Sequence, residues 1–199
     1  LGSIESSNDF SISVWFKGLY DFNQTNQGWR TLTRGSTTNH HFILHSDRNE
    51  IGVHGSGQWF GSGVVLERSE SQQNWQHLAA VFNGSNAKYF VDDTFLGSTN
   101  KSLGLDIKSI GNNGAGKQHF AEYLDDFRVY SKVLSESEIS SLYHFSLDQN
   151  GTLTANHKFD YETDDRNYTI TVRATDDHNI SFDKNFTITV ANVVEDLDG

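Results

Sequence analysis

The sequence predicts an all-β protein, a sandwich or jelly roll of many short strands with one short helix. Apolar side chains occupy every second position in residues 10–16, which is the period of a strand with one buried face. Turn signals such as the Asn83-Gly84 dipeptide separate further short apolar runs, and short strands at this spacing are typical of two packed sheets. After the first strand, the predicted strands are 29–34, 41–45, 51–54, 64–67, 75–82, 88–91, 106–110, 122–130, 168–174 and 186–190.

The one predicted helix follows Ser135. This serine can cap the helix, and Glu138 completes a capping box three residues later. A helix of about two turns is not stable alone in water, so we expect it to pack against the sandwich and close a first domain of residues 1–144. Residues 145–199 then form a second domain whose two clear strands make a poor core. That domain either receives strands from elsewhere or packs onto the first.

Composition excludes several classes of function. The 199 residues contain no Cys, which excludes disulfides, thiolate zinc sites and cysteine nucleophiles. No apolar run approaches the roughly 20 residues of a membrane-spanning helix, so membrane insertion is not expected. The 26 acidic and 15 basic residues give a net charge of −11, which disfavours nucleic acid as a partner.

The acidic residues are concentrated in the second domain. Residues 145–199 contain 11 acidic and 4 basic groups, whereas residues 1–144 contain 15 and 11. Crowded carboxylates repel one another unless a positive charge lies among them, and Ca²⁺ prefers oxygen ligands. The charge therefore indicates either bound calcium or a solvated acidic surface.

Five segments carry a resemblance to a known fold: residues 10–16 (FSISVWF), 75–84 (WQHLAAVFNG), 89–93 (YFVDD), 110–113 (IGNN) and 124–130 (LDDFRVY). In order and spacing they resemble the laminin-G-like, concanavalin A-like jelly roll, which the match implies for residues 1–144. The family usually has one more strand before the first of these segments.

The second domain resembles the later half of a cadherin repeat. Asp160-Tyr161-Glu162 is similar to the calcium-binding Asp-x-Glu of that family, and Ala174-Thr175-Asp176 is similar to its Ala-x-Asp. The segment 192–196, which includes Glu195, occupies the place of the family's terminal linker. The resemblance implies that Asp160, Glu162, Asp176 and Glu195 bind calcium. Some bacterial RTX-type adhesins insert a ligand-binding domain into a cadherin-like domain, and we hypothesise that the first half of this domain lies upstream.

Two further candidate metal ligands lie in the predicted strand 122–130. Strict alternation would place Asp125 on the apolar face with Phe127 and Val129, where an unpaired carboxylate costs several kcal/mol. In related concanavalin-type folds, the Asp at this place ligates a structural calcium. The alternatives are pairing with Lys or Arg or capping of a turn for Asp125, and a solvated or Arg-paired position for Asp126.

Three segments are candidate ligand-binding loops. Trp59 and Phe60 lie in a glycine-rich segment, 54–63, which is interpreted as a flexible loop. Aromatic rings stack on the apolar faces of sugars, and polar neighbours fix the ligand's orientation. The polar candidates in the other two segments are Asn112, Asn113, His119 and His40. The alternatives are a loop aromatic folded back onto the sandwich and ordinary surface histidines.

These observations predict an extracellular, calcium-dependent adhesion module of a secreted or bacterial cell-surface protein. Its expected partners are a glycan or peptide on another surface and neighbouring repeats of the same long protein. Catalysis is not expected, because residues 122–125 lack the Glu-x-Asp-x-x-Glu of laminarinase-like glucanases and no Gly-x-Ser-x-Gly elbow occurs. A structural spacer and an accessory carbohydrate-binding domain of a secreted hydrolase are the alternatives.

Overall fold

A computed structural model describes residues 7–24, 28–148, 150–178 and 180–193. The chain divides into two compact units, residues 1–134 and 135–199. The first unit contains strands β1 (Asp9–Leu19), β2 (Arg30–Arg34), β3 (His40–Leu44), β4 (Glu50–Gly55), β5 (Gln58–Val65), β6 (Gln76–Asn83), β7 (Ala87–Val91), β8 (Thr94–Thr99), β9 (Ser109–Ile110) and β10 (Ala121–Tyr130), and helix α1 (Arg68–Gln73).

Two antiparallel five-stranded sheets form the first unit. Their strand orders are β10-β1-β6-β7-β8 and β5-β4-β3-β2-β9, so neighbours in space are often distant in sequence. This arrangement confirms the predicted all-β jelly-roll sandwich.

The alternating residues of β1 form the centre of the core between the sheets. Phe10, Ile12, Val14 and Phe16 are fully buried. The Phe10 ring stacks on Phe82 at 4.3 Å between centroids. Burial of each large apolar side chain contributes about 1.5–3 kcal/mol, so this row is a major source of the unit's stability.

The glycine-rich segment 54–63 is not a flexible loop. Strand β5 begins at Gln58, and Val53 and His54 on β4 pair with Phe60 and Trp59. The prediction of a loop there was therefore wrong, and β8 and α1 were not predicted at all. Ser56 and Gly57 form the tight turn between β4 and β5, both with positive φ. A two-residue turn of this kind makes the segment a hairpin.

An irregularity in β10 changes the direction of Asp125. The register with β1 passes from Ser13 opposite Arg128 to Trp15 opposite Asp125, so β10 carries one extra residue. Asp126 has a φ of 49°, which marks it as the extra residue. Leu124 and Phe127 consequently both pack on the core, and Asp125 is exposed. The prediction that Asp125 lies on the apolar face was wrong, because strict alternation does not hold across a bulge.

The second unit is built from smaller pieces. It contains α2 (Glu136–His144), β11 (Phe145–Leu147), β12 (Leu153–Ala155), β13 (Asn167–Thr175) and β14 (Ser181–Thr189). β11 pairs with β12 and β13 pairs with β14, which gives two two-stranded sheets. Its core consists of Phe145, Tyr168 and Ile170, with partly buried apolar neighbours.

The predicted capping box of α2 is present. The Ser135 hydroxyl accepts a hydrogen bond from the Glu138 backbone N–H, and the Glu138 carboxylate accepts one from the Ser135 N–H. α2 contacts β11 and β13, and the Ser141 hydroxyl donates to the Thr169 carbonyl at 2.9 Å. The division between the units therefore falls before this helix, earlier than the expected boundary at residue 144. Among the described residues, no helix has the length and apolarity needed to cross a membrane.

Candidate functional site

The outer face of the sheet β5-β4-β3-β2-β9 carries a row of side chains that crosses the strands. Trp59 on β5 lies directly opposite His54 on β4, and His54 lies directly opposite His40 on β3. Residues opposite one another on one face of a sheet have Cβ atoms about 4.5–5.5 Å apart. The row therefore forms one continuous surface, which brings the predicted Trp59 and His40 together.

Two further aromatic side chains extend this row into a cluster. The Trp29 ring lies 5.6 Å from Trp59, 5.8 Å from His54 and 5.0 Å from His45, measured between centroids. His45 lies 5.3 Å from Trp59. We call Trp29, His45, His54 and Trp59 the aromatic cluster; all four are partly exposed.

Glycines make room for the Trp59 indole on the sheet. A Cβ atom on Gly52 would lie 2.7 Å from Trp59 Cη2, and one on Gly61 would lie 3.2 Å from Trp59 Nε1. Real Cβ atoms rarely approach so closely. The two glycines therefore let the indole lie against the backbone, which fixes its position.

A polar group lies beside the row at β2. The buried Thr31 hydroxyl donates to Gln118 Oε1 at 3.0 Å and lies 3.3 Å from His40 Nδ1. Because the threonine's one proton goes to Gln118, His40 Nδ1 donates to the Thr31 oxygen, and His40 Nε2 remains an acceptor. The backbone of Thr31 also forms an isolated parallel β-bridge with His119. Thr31 thus connects the predicted segments around residues 40 and 112–119.

The histidine at the centre of the site is neutral at physiological pH. The pKa of His40 is lowered to about 4, mainly by burial and to a smaller extent by the charges of His54, Arg34 and His41. A neutral imidazole both donates and accepts hydrogen bonds, whereas an imidazolium only donates. Since Nδ1 donates to Thr31, His40 Nε2 can accept a hydrogen bond from a ligand hydroxyl group.

The acidic groups beside the aromatic cluster are held in ion pairs. Arg48 Nε lies 2.7 Å from Glu50 Oε2, and Arg48 Nη1 lies 3.0 Å from Asp47 Oδ1. The hydrogen bond with His45 lowers the pKa of Asp47. Partial burial opposes ionisation of Glu50, but the bonds from Arg48 and the Gly63 N–H lower its pKa overall. Both carboxylates stay ionised at neutral pH.

The other predicted ligand-binding residues have different surroundings. Phe60 packs against the core rather than the outer face. The side-chain oxygens of Asn112 and Asn113 accept backbone N–H groups of their own loop, from Gly114 at 2.7 Å and Ala115 at 3.1 Å. The exposed His119 lies near Tyr20, with 5.7 Å between ring centroids.

Sequence reasoning missed most of the aromatic cluster. Trp29 was placed only in the predicted strand 29–34, and His45, His54, Thr31 and Gln118 were not singled out. The available signal was the hairpin turn at Ser56-Gly57, which would have placed Trp59 opposite His54.

The predicted metal ligands of the first unit are exposed. Asp126 pairs with Arg128 at 2.6 Å, as in the Arg-paired alternative. The Asp125 carboxylate accepts the Asp126 N–H at 2.8 Å. Calcium at Asp125 stays a prediction, now without the burial on which it was based.

The predicted ligands of the second unit lie in turns. Asp160 Oδ1 accepts the Glu162 N–H at 2.9 Å, and this bond lowers the pKa of Asp160. Across the described residues, the one group of three or more acidic or histidine ligand atoms within 4.8 Å of one another is Asp176, Asp177 and His178. Glu195 lies outside the described residues.

The family comparison agrees with the fold. A laminin-G-type family model, described as the concanavalin A-like lectin/glucanases superfamily, matches residues 2–140. No curated protein matches the chain.

Two solved structures are similar to this chain at low sequence identity. One is domain 4 of AbnA, a GH43 extracellular arabinanase from Geobacillus stearothermophilus, in complex with arabinotriose. It is 21% identical with a TM-score of 0.53, and the match covers 71% of this chain and 69% of that one. A sialidase from Trypanosoma rangeli is 18% identical with a TM-score of 0.46; the match covers 68% of this chain but 22% of the sialidase.

Proposed function

The chain belongs to the concanavalin A-like lectin/glucanases superfamily through residues 2–140, and on this premise we propose that it is a non-catalytic, extracellular carbohydrate-binding module. The aromatic cluster is the observation that carries the proposal. Trp29 and Trp59 present partly exposed rings, which suit the apolar faces of sugars, beside neutral hydrogen-bonding groups. The extracellular arabinanase domain, with its arabinotriose, supports this class of ligand.

The surroundings of the cluster support binding rather than hydrolysis. Glycoside hydrolysis commonly needs one carboxylic acid that keeps its proton at neutral pH beside a second, ionised carboxylate. Asp47 and Glu50 are the carboxylates paired with Arg48 beside the cluster, and both have lowered pKa values. Neither is suited to be the acid.

Carbohydrate binding would serve an adhesin or the accessory domain of a hydrolase. The dense charge of the second unit favours the adhesin, with calcium stiffening that unit between neighbouring repeats. The likeness to an arabinanase domain favours the accessory role. If the chain binds no carbohydrate, the result would support the alternative of a structural spacer without a ligand of its own.

Calcium binding in the second unit is proposed for two turns. The carboxylates of Asp176 and Asp177 suit Ca²⁺, with Asp160 and Glu162 as a second oxygen-rich turn. We expect a chelator to lower the melting temperature by several degrees, because the folded state would lose a bound ligand. The variant Asp176→Asn should reduce the enthalpy of a calorimetric Ca²⁺ titration. An unchanged melting temperature and no titration heat would contradict the calcium proposal alone.

The test of carbohydrate binding is a glycan microarray followed by calorimetry with Trp59→Ala and Trp29→Ala. We expect each variant to weaken binding about tenfold or more, which corresponds to about 1.4 kcal/mol. Trp75→Ala is the matched control, because Trp75 is 43% exposed and lies outside the aromatic cluster, paired with Tyr123. Binding that survives both cluster variants, or that Trp75→Ala abolishes, would contradict the assignment of the site.

A further inference from the structure

We propose that the outer face binds a neutral oligosaccharide whose chain crosses strands β5, β4, β3 and β2, rather than one terminal sugar. This inference rests on the proposed carbohydrate binding and specifies its ligand. The row Trp59–His54–His40 supplies the contacts and ends at the Gln118 carboxamide. The buried Thr31 hydroxyl holds Gln118 beside the row.

The length of the row sets the length of the ligand. Neighbouring strands lie about 4.8 Å apart, so the three intervals from β5 to β2 span about 14 Å. This distance is longer than a single monosaccharide ring. A ligand that contacts both ends of the row therefore has at least two sugar residues.

The two ends of the row differ in chemistry. At β5, Trp59 offers a stacking surface. The Trp29 side chain, which comes from the residue before β2, extends that surface with its ring 5.6 Å from Trp59. At β2, the Thr31 hydroxyl donates a hydrogen bond to Gln118 Oε1. Among the described residues, no protein group accepts a hydrogen bond from the amide N–H groups of the Gln118 side chain. Stacking tolerates many sugars, whereas an oriented carboxamide selects the position of a hydroxyl. We therefore assign affinity to the aromatic end and specificity to the Gln118 end.

The backbone of Gln118 is held in an unusual conformation. Its φ is 58°, in the left-handed region that side-chain-bearing residues rarely adopt. Its carbonyl accepts the Thr31 N–H at 2.8 Å while its side chain accepts the Thr31 hydroxyl. These two bonds from one buried residue hold the backbone and the side chain of Gln118, and strained residues held in this way cluster at functional sites.

Charge favours a neutral ligand. The chain carries a net charge of −11, which repels polyanionic glycans. Arg48 is engaged with Asp47 and Glu50. His40 is neutral at physiological pH, and the nearby Arg34 donates to the Asn113 carbonyl.

The experiment measures binding of the whole chain to printed saccharides of one to four residues. The probes are the arabinose, xylose, glucose, mannose and galactose series, with oligogalacturonates as acidic probes. The variants are Trp59→Ala, Gln118→Ala and Thr31→Val, with Lys117→Ala as the control from the same exposed loop. Thermal melts of each variant establish that it folds, and Thr31→Val tests the Gln118 contact without altering the loop residue.

We expect affinity to rise at least tenfold from one to three residues of the bound sugar. Trp59→Ala should weaken binding of saccharides of every length. Gln118→Ala and Thr31→Val should weaken binding of the trisaccharide at least fivefold and leave the affinity for the monosaccharide unchanged. Equal affinity for one and three residues, a Gln118→Ala variant that binds the trisaccharide like the wild type, or tighter binding of oligogalacturonates would overturn the inference while carbohydrate binding stands. A wild-type chain that binds no probe would remove the proposed function and this inference with it.

Discussion

The two units have equally regular strand patterns but very different cores. In the first unit, the alternating residues of β1 are fully buried between two five-stranded sheets. In the second, β13 and β14 alternate just as cleanly, yet Phe182 is 70% exposed and Phe186 is 43% exposed. Alternation specifies which face of a strand is apolar, and a second layer is needed before that face becomes a core.

The largest expected difference is in independent folding. Residues 1–134 expressed alone should unfold cooperatively in urea, because they contain both large sheets and the core between them. Residues 135–199 alone should lack stable structure, because isolated two-stranded sheets are marginal in water. Circular dichroism and amide chemical-shift dispersion of the two fragments would measure this.

A cooperative transition in residues 135–199 alone would break the comparison. It would show that α2 and the Phe145–Tyr168–Ile170 core suffice without further strands. It would also contradict the hypothesis that upstream strands complete a cadherin-like domain.

Two matched phenylalanine substitutions, one in each unit, should lower the free energy of unfolding by amounts that differ several-fold. Phe82→Ala removes a fully buried ring stacked on Phe10, and we expect a loss of about 3–5 kcal/mol in the free energy of unfolding. Phe186→Ala removes a ring that is already partly in water, and we expect about 1 kcal/mol or less.

Urea titrations can report on each unit separately. All four tryptophans lie in residues 1–134, so their fluorescence follows the first unit. Far-ultraviolet circular dichroism reports on the backbone of both units, so it also follows the second. Similar costs for the two substitutions would mean that the exposed face of β14 is covered in solution.

Acid should destabilise the first unit before it affects the second. Burial lowers the pKa of both His40 and His77 from the ordinary 6.5 to about 4. As the pH falls from 6.5 to 4, the unfolded chain binds protons that the folded chain does not, so stability falls. The loss is about 3 kcal/mol for each histidine over that range.

The second unit should respond at lower pH. The pKa values of Asp160 and Asp164 are lowered by backbone N–H bonds, so stability from those carboxylates is lost only as the pH falls below about 4. Tryptophan fluorescence during urea unfolding at pH 7, 5.5 and 4.5 measures the first effect. The variant His40→Gln should make the free energy of unfolding of the first unit depend less steeply on pH. An unchanged slope would show that His40 is not buried as described.

The smallest expected effect is at the polar face of β13 and β14. Arg173 Nε and Nη2 each donate to Asp183 at 2.7 Å, but both side chains are exposed. Asp183→Asn should therefore cost less than about 1 kcal/mol, and less still in high salt. A larger loss, measured by chemical denaturation at two salt concentrations, would mean that this face is shielded from water.

Sequence patterns identified what depends on local order. The strand period in residues 10–16 and the capping box at Ser135 were both confirmed, because each involves neighbours in the chain. The aromatic cluster escaped prediction because it depends on strand order and register. Trp29, which precedes β2, meets Trp59 on β5 only after the four strands β2 to β5 fold beside one another, and no period within the chain contains that information.

The bulge at Asp126 has a consequence for solubility. β10 is an edge strand of its sheet among the described residues, and a straight edge offers its unpaired backbone groups to other chains. Removal of Asp126 would leave Leu124, Phe127 and Val129 facing inward and would join the two halves of the ladder with β1 into one continuous run. We expect the straightened edge to pair more readily with the edges of other chains. One surplus residue thus acts as a safeguard against aggregation.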